Sequence, residues 1–299
     1  MIAAGCGIAM LIAGGLEAAS GPVRAVGIEN QYADVIAQIG GKDVEVSAIE
    51  TDPNTDPHSF EVSPSVARQI GGAALVVENG LGYDGWAAKI VEATPNSGRK
   101  VIDVQHLLGL PDSTPNPHLW YDPRTMPAVA AAVATELTSL LPDDAAYFEA
   151  NLKAFNASLQ PWMAAIAAFK AAHPRTPVAV TEPVADYLLR ALGAEIRTPS
   201  SLESAVMNGN DPAPQDVSTQ NGLLSGGAVK IFVYNQQVTD TLTGAFLDAA
   251  RTGKVPVVGV YETMPTPGFT YQSWMLAETA ALEKAVADGT STARLVAGK

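Results

Sequence analysis

Short aliphatic runs alternate with segments of helical period along most of this chain, and that alternation leaves few folds open. Residues 23–28 read as a strand, 31–39 as a helix closed by Gly40-Gly41, 44–49 as a strand, 63–71 as a helix and 74–78 as a strand. The pattern resumes at residues 178–181 (strand), 184–192 (helix), 195–197 (strand), 215–224 (helix), 231–234 (strand), 239–250 (helix) and 255–260 (strand). Strands connected through helices run parallel, and a parallel sheet must be covered on both faces. An α/β protein is therefore expected.

Between the two series lies a stretch without strand signals. Residues 126–141 form an Ala-rich helical segment, and Pro142-Asp143-Asp144 supplies a break and an N-cap. Residues 145–172 then place Tyr147, Phe148, Leu152, Phe155, Leu159, Trp162 and Ile166 at three- and four-residue spacings. At roughly 1.5 Å per residue this helix would run about 40 Å, with Pro161 as its one kink point and Pro174 and Pro177 beyond its end. The expected architecture is two lobes, each a parallel sheet flanked by helices, joined by one long backbone helix. The lobes would span residues 21–142 and 174–299, with 143–173 as the connector. A chain of 299 residues is long enough for two such cores.

Charge narrows the partners. With 18 basic against 31 acidic residues the formal net charge is −13, and no Lys/Arg cluster forms a phosphate-contacting stripe, so nucleic acid is not an expected partner. Residues 2–16 are uncharged and rich in Ala, Gly, Ile and Leu, and Ala18-Ala19-Ser20-Gly21 follows with small side chains. Residues 1–20 are read as an export signal, although the usual positive start is missing. Cys6 is the only cysteine, which excludes an internal disulfide and a cysteine metal cluster. Its two readings are a lipid attachment point and an ordinary signal residue.

Two local patterns carry chemistry. Asp56-Pro57-His58-Ser59-Phe60 and Asn116-Pro117-His118-Leu119-Trp120 each put a histidine directly after a proline, on a stiff turn beside an apolar run. In the second half, Thr181-Glu182-Pro183 and Tyr261-Glu262-Thr263 follow buried-strand runs. Ligands of parallel sheets are held by loops at the carboxyl ends of the strands. Each half thus offers two donors, His58 and His118 against Glu182 and Glu262, a set suited to a divalent transition metal. The competing readings are ordinary: a satisfied or surface histidine, a helix-capping role for Glu182, and a solvated loop carboxylate for Glu262. Asp240 and Glu203 are the substitutes for Glu262. Asp56 and Asp122 fit either support of the ligands or simple turn formation, and His106 and His173 lack the turn context and are expected at the surface.

The stretch from Asp56 to Ser65 (DPHSFEVSPS), the segment Asn79-Gly80-Leu81-Gly82-Tyr83-Asp84-Gly85-Trp86 and the stretch from Asn116 to Pro123 (NPHLWYDP) together resemble the metal-binding solute-binding proteins of zinc and manganese ABC importers. The resemblance covers nearly the whole chain after residue 20. It implies His58 and His118 as the two histidine ligands, Glu182 at a third position that takes histidine or glutamate, and Glu262 at a fourth that is usually aspartate. It also implies capture of a divalent metal outside the cytoplasm, in the periplasm or on the outer face of the cytoplasmic membrane. Delivery would be to an ABC transporter membrane permease, by a monomer without organic cofactor or catalytic activity.

Two imidazoles with two carboxylates are a harder set than three histidines, which tilts the cargo toward Mn2+, with Zn2+ as the alternative of a zinc-specific carrier and Fe2+ behind both. The absence of histidine from residues 107–115 leans the same way. A long connecting helix implies small local movements near the second-half ligands instead of wide lobe rotation. The alternatives of another class are a metal-dependent hydrolase, for which no HExxH helix or Gly-x-Ser-x-Gly elbow is present, and a binder of a larger metal chelate.

Overall fold

A computed structural model describes residues 21–296; the expected export segment with Cys6 lies outside them. The first lobe runs β1 (Val23–Glu29), α1 (Asn30–Gly40), β2 (Val44–Glu50), α2 (Pro64–Gly72), β3 (Leu75–Glu78), α3 (Gly85–Ala93), β4 (Lys100–Asp103) and α4 (Val104–Leu107). Three helices follow, α5 (Thr125–Leu140), α6 (Ala145–Ser158) and α7 (Gln160–Ala172). The second lobe comprises β5 (Pro177–Val180), α8 (Asp186–Ala191), β6 (Glu195–Ile196), α9 (Ser200–Met207), α10 (Pro214–Ser225), β7 (Ile231–Asn235), α11 (Thr241–Thr252), β8 (Val257–Val260) and α12 (Tyr271–Asp288).

Both sheets have four strands, all pairs are parallel, and the orders are equivalent: β2-β1-β3-β4 and β6-β5-β7-β8. In each, chain progression reverses beside the first strand, which opens a crevice at the carboxyl edge. The central strands β3 and β7 are buried at every position, as unbroken apolar runs in a two-face-covered sheet should be.

The expected single long helix is two helices. Pro161 lacks the N–H that would bond back along the helix, and regular helix lapses at Leu159, so α6 ends at Ser158 and α7 starts at Gln160. Asp144 makes no side-chain cap bond at the start of α6, contrary to the N-cap expectation. Nor is the connector a free strut. Phe148, Phe155, Trp162 and Phe169 from α6 and α7 belong to one apolar cluster that also takes in Val35 and Ile36 of α1, Val233 of β7, Val258 of β8 and Trp274 and Leu282 of α12. The two lobes therefore share a core. Smaller clusters cover their outer faces, around Ile70 and Val76 in the first and Phe232 and Phe246 in the second.

Candidate metal centre

The carboxyl ends of both sheets face one cleft, and the loops there are fixed by side chains bonding to backbone. After β2, Pro57 starts a single turn of 3-10 helix, and Asp56 accepts the backbone N–H of His58 at 2.8 Å. After α4, Asn116 Oδ1 accepts both the backbone N–H (2.9 Å) and the Nδ1–H (2.8 Å) of His118, while its Nδ2 donates to the carbonyl of Pro183 in the other lobe (2.7 Å). After β8, Gln237 Oε1 accepts the backbone N–H groups of Glu262 (2.6 Å) and Thr263 (2.9 Å), and Gln31 at the start of α1 donates to the Glu262 carbonyl (3.2 Å). Asn30 exchanges two bonds with the backbone of Met264.

These loops bring three of the four expected donors together. Glu262 Oε2 lies 3.2 Å from His118 Nε2 and 3.4 Å from His58 Nε2, and one ligand atom from each residue falls within 4.8 Å of the others. Among the described residues this trio is the one group of three such donors. His118 and Glu262 are buried, while the His58 side chain keeps 33% of its surface exposed on the cavity side. Tyr83 donates to the same Oε2 at 2.9 Å and packs edge-on against both imidazoles.

The protonation logic is constrained. Asn116 Oδ1 also receives a backbone N–H, so its amide orientation is set and His118 Nδ1 must carry hydrogen. In the neutral ring the lone pair then sits on Nε2, facing a carboxylate oxygen, and two such atoms at 3.2 Å require positive charge between them. A proton meets that need, and so does a metal ion. Burial would raise the Glu262 carboxyl, but the hydrogen bonds and charges of His118 and His58 outweigh it and hold the group far below the usual range. The same Glu262 bond pushes His58 up to about 9 against the opposing effect of burial.

Glu182, just beyond β5, is buried but not part of the trio. Its Oε1 has no hydrogen-bond partner, and burial followed by the charge of Glu262 pushes the carboxyl up to about 8, with Asn235 and His58 pulling the other way. With His58, Tyr83 and Asp56 it lines a cavity of about 750 Å³ between the lobes. Of the substitutes, Asp240 accepts the backbone N–H of Thr243 as the N-cap of α11, and Glu203 is buried on α9, where burial and Asp186 push its carboxyl up to about 8. Asp122 is taken up by Arg124. His106 is exposed against Asp103, and His173 pairs with Glu283 at 2.8 Å.

Sequence reasoning missed Asn235 and Gln237. Asn235 ends β7, donates from Nδ2 to Glu262 Oε1 at 2.6 Å and is buried. The available signal was the one used for Glu182 and Glu262: polar residues directly after a buried strand. Also unanticipated is a set of buried carboxyls at the strand ends of the first lobe. Glu29 is raised by burial and by Asp84 and Glu50, and burial pushes Glu50 up to about 8 and Asp84 to about 6.

Residues 29–285 match the family described as zinc-uptake complex component A, periplasmic. Among curated proteins, the manganese-binding lipoprotein MntA of Halalkalibacterium halodurans is 28% identical over 167 residues, which cover 54% of this chain and 53% of that protein. A manganese ABC transporter substrate-binding lipoprotein, PsaA of Streptococcus mitis, is 26% identical over 48% of this chain and 50% of its own length. The chain thus spans about half the length of the curated relatives it matches. Solved structures align further: the periplasmic zinc binding protein TroA from Treponema pallidum covers 91% of this chain and all of its own at a TM-score of 0.73 and 20% identity. FpvC from Pseudomonas aeruginosa, in complex with Mn2+, covers 90% of this chain and 99% of its own at 0.72 and 20%. At these identities the structures speak for the fold.

Proposed function

The chain belongs to the periplasmic zinc-uptake component A family, and from that premise we propose that it is an extracytoplasmic solute-binding protein. It captures a divalent transition metal at His58, His118, Glu262 and Glu182 and hands it to an ABC import permease. The observation that carries this reading is the convergence of two imidazole nitrogens on one carboxylate oxygen. The ion enters through the cavity that His58 and Glu182 line, displaces the proton shared within the trio, and draws in the unpartnered oxygen of Glu182 as a fourth donor. The protein works as an exported monomer without catalytic turnover. No helix among the described residues is long and apolar enough to cross a membrane.

Donor hardness favours manganese as the cargo, with iron behind it. A zinc carrier is the second reading, and one observation favours it: Glu262 turns a single oxygen, Oε2, toward both imidazoles, which suits a four-coordinate metal. A larger chelate is disfavoured because, among the described residues, no Lys or Arg lines the cavity and its aromatic rings are Tyr83 and His58. A hydrolase would need an open metal position beside a general base. The test is elemental analysis of the purified protein with zinc–manganese competition, set beside His58→Ala and His118→Ala. Loss of bound metal and of the metal-induced thermal shift in both variants is expected, and retention in both would overturn the site.

A further inference from the structure

Glu262 is restrained at every polar atom. Its backbone N–H and C=O are held by Gln237 and Gln31, its Oε2 faces the two histidines and Tyr83, and its Oε1 is taken by Asn235 Nδ2 at 2.6 Å. Asn235 itself cannot turn away. Its backbone N–H donates to Thr181 Oγ1 at 3.0 Å, beside Glu182, and its Oδ1 accepts the N–H of Gln237 at 3.0 Å, so the Nδ2 end must point at the carboxylates. The same amide pulls the raised Glu182 carboxyl back down. One fully enclosed side chain therefore grips one acidic donor and influences the other.

We propose that Asn235 is the specificity-determining positioning residue of the site, and that it acts by orienting Glu262 so that Oε1 points to the amide and one oxygen, Oε2, faces the ion. The inference rests on the metal-carrier reading above. With Oε1 held toward Asn235, Glu262 presents Oε2 to the two imidazoles; the histidines add two nitrogens and Glu182 its unpartnered Oε1. Four donors favour a tetrahedral ion such as zinc, whereas manganese gains from each added oxygen up to six. Releasing Oε1 lets Glu262 chelate through both oxygens and raises the coordination number. Asn235 thus works against the preference that donor hardness alone would set.

The test is Asn235→Leu, near in shape but without a donor, with Asn235→Ala as the second variant if the first does not fold. Competition of Zn2+ against Mn2+ for each protein is expected to show the manganese-to-zinc affinity ratio rising at least tenfold over wild type, within the range that outer contacts to metal ligands command. X-ray absorption of the zinc-loaded proteins is expected to show four light-atom neighbours in wild type and five in the variant. An unchanged ratio, or five or more neighbours already in wild type, overturns the proposal. A purely structural Asn235 would shift the melting temperature of the metal-free protein and leave the ratio alone. Wild-type protein that takes up neither ion would sink the carrier reading itself, which separates the two failures.

Discussion

His118 shows how a single neighbour prepares an imidazole. Asn116 sits two residues upstream, across the proline, and its one oxygen holds both the backbone and the ring of His118 while its amide nitrogen grips the opposite lobe. Fixing hydrogen on Nδ1 leaves Nε2 as the donor atom, which is the usual way an outer contact sets a ligating histidine. Asn116→Ala is expected to lower metal affinity about 10–100-fold while His118 remains in place, measured by competition with a chelating indicator. An affinity within twofold of wild type would show that packing against Trp120 and Tyr83 orients the ring unaided. At this scale the sequence was informative wherever proline stiffened the backbone, as at His58 and His118. At Asn235 and Gln237 it offered only position, polar residues after a buried strand, because an amide reads the same in a surface loop and beneath a carboxylate; the three-dimensional meeting of β7 and β8 distinguishes them.

One strand-to-helix junction without any loop helps hold the loops that carry these side chains. β1 ends at Glu29 and α1 begins at Asn30, so the first two residues of the helix reach across to Met264 and Glu262. That tight reversal depends on Gly27, where an added Cβ would fall on the backbone nitrogen of Ala33. Gly27→Ala is expected to destabilise the fold by about 1–3 kcal/mol, as overpacking at a rigid contact does, and to weaken metal binding as Asn30 and Gln31 shift. Urea unfolding of the metal-free variant reads the first effect and indicator competition the second. A loss of stability with unchanged affinity would show that Gln237 alone secures Glu262. Most elements were legible from period and punctuation. α12 was not: it buries Gln272, Glu278 and Thr279 alongside Trp274 and Leu282, so no clean apolar stripe marks it, and α6 and α7 look continuous in sequence because the apolar spacing runs straight through Pro161.

Taken as a whole, the molecule buries several carboxyls in both lobes. Burial pushes Glu50, Glu182, Glu203 and Glu278 up to about 8 and Glu78 to about 7, in each case from an ordinary value of 4.5. Over that interval the native state binds more protons than the unfolded chain, so stability falls as pH rises. His58, raised to about 9, acts in the same direction: its contribution is complete below about 6.5 and is lost as pH climbs through the folded value. Glu262, held low, contributes above about 4.5 and weakens only in stronger acid. The metal-free protein is therefore expected to melt at a higher temperature near pH 5.5 than at pH 8, in scanning calorimetry with chelator present. At the proposed site, added metal is expected to offset the trend by supplying charge to His58, Glu182 and Glu262. Glu278 isolates the effect, because it lies on α12 away from the trio. Its Oε1 accepts Trp274 Nε1 (2.7 Å), as a glutamine oxygen also would, and lies 3.0 Å from Tyr121 Oη. Tyr121 in turn donates to the carbonyl of Tyr261, next to Glu262, so the contact ties the two lobes together. Glu278→Gln removes the need to keep a proton on a buried acid and is expected to stabilise the protein by about 2–4 kcal/mol at pH 8 and by little at pH 5. An equal change at both pH values would mean that the carboxyl does not titrate in this range, and the acidic core would then need another source of positive charge.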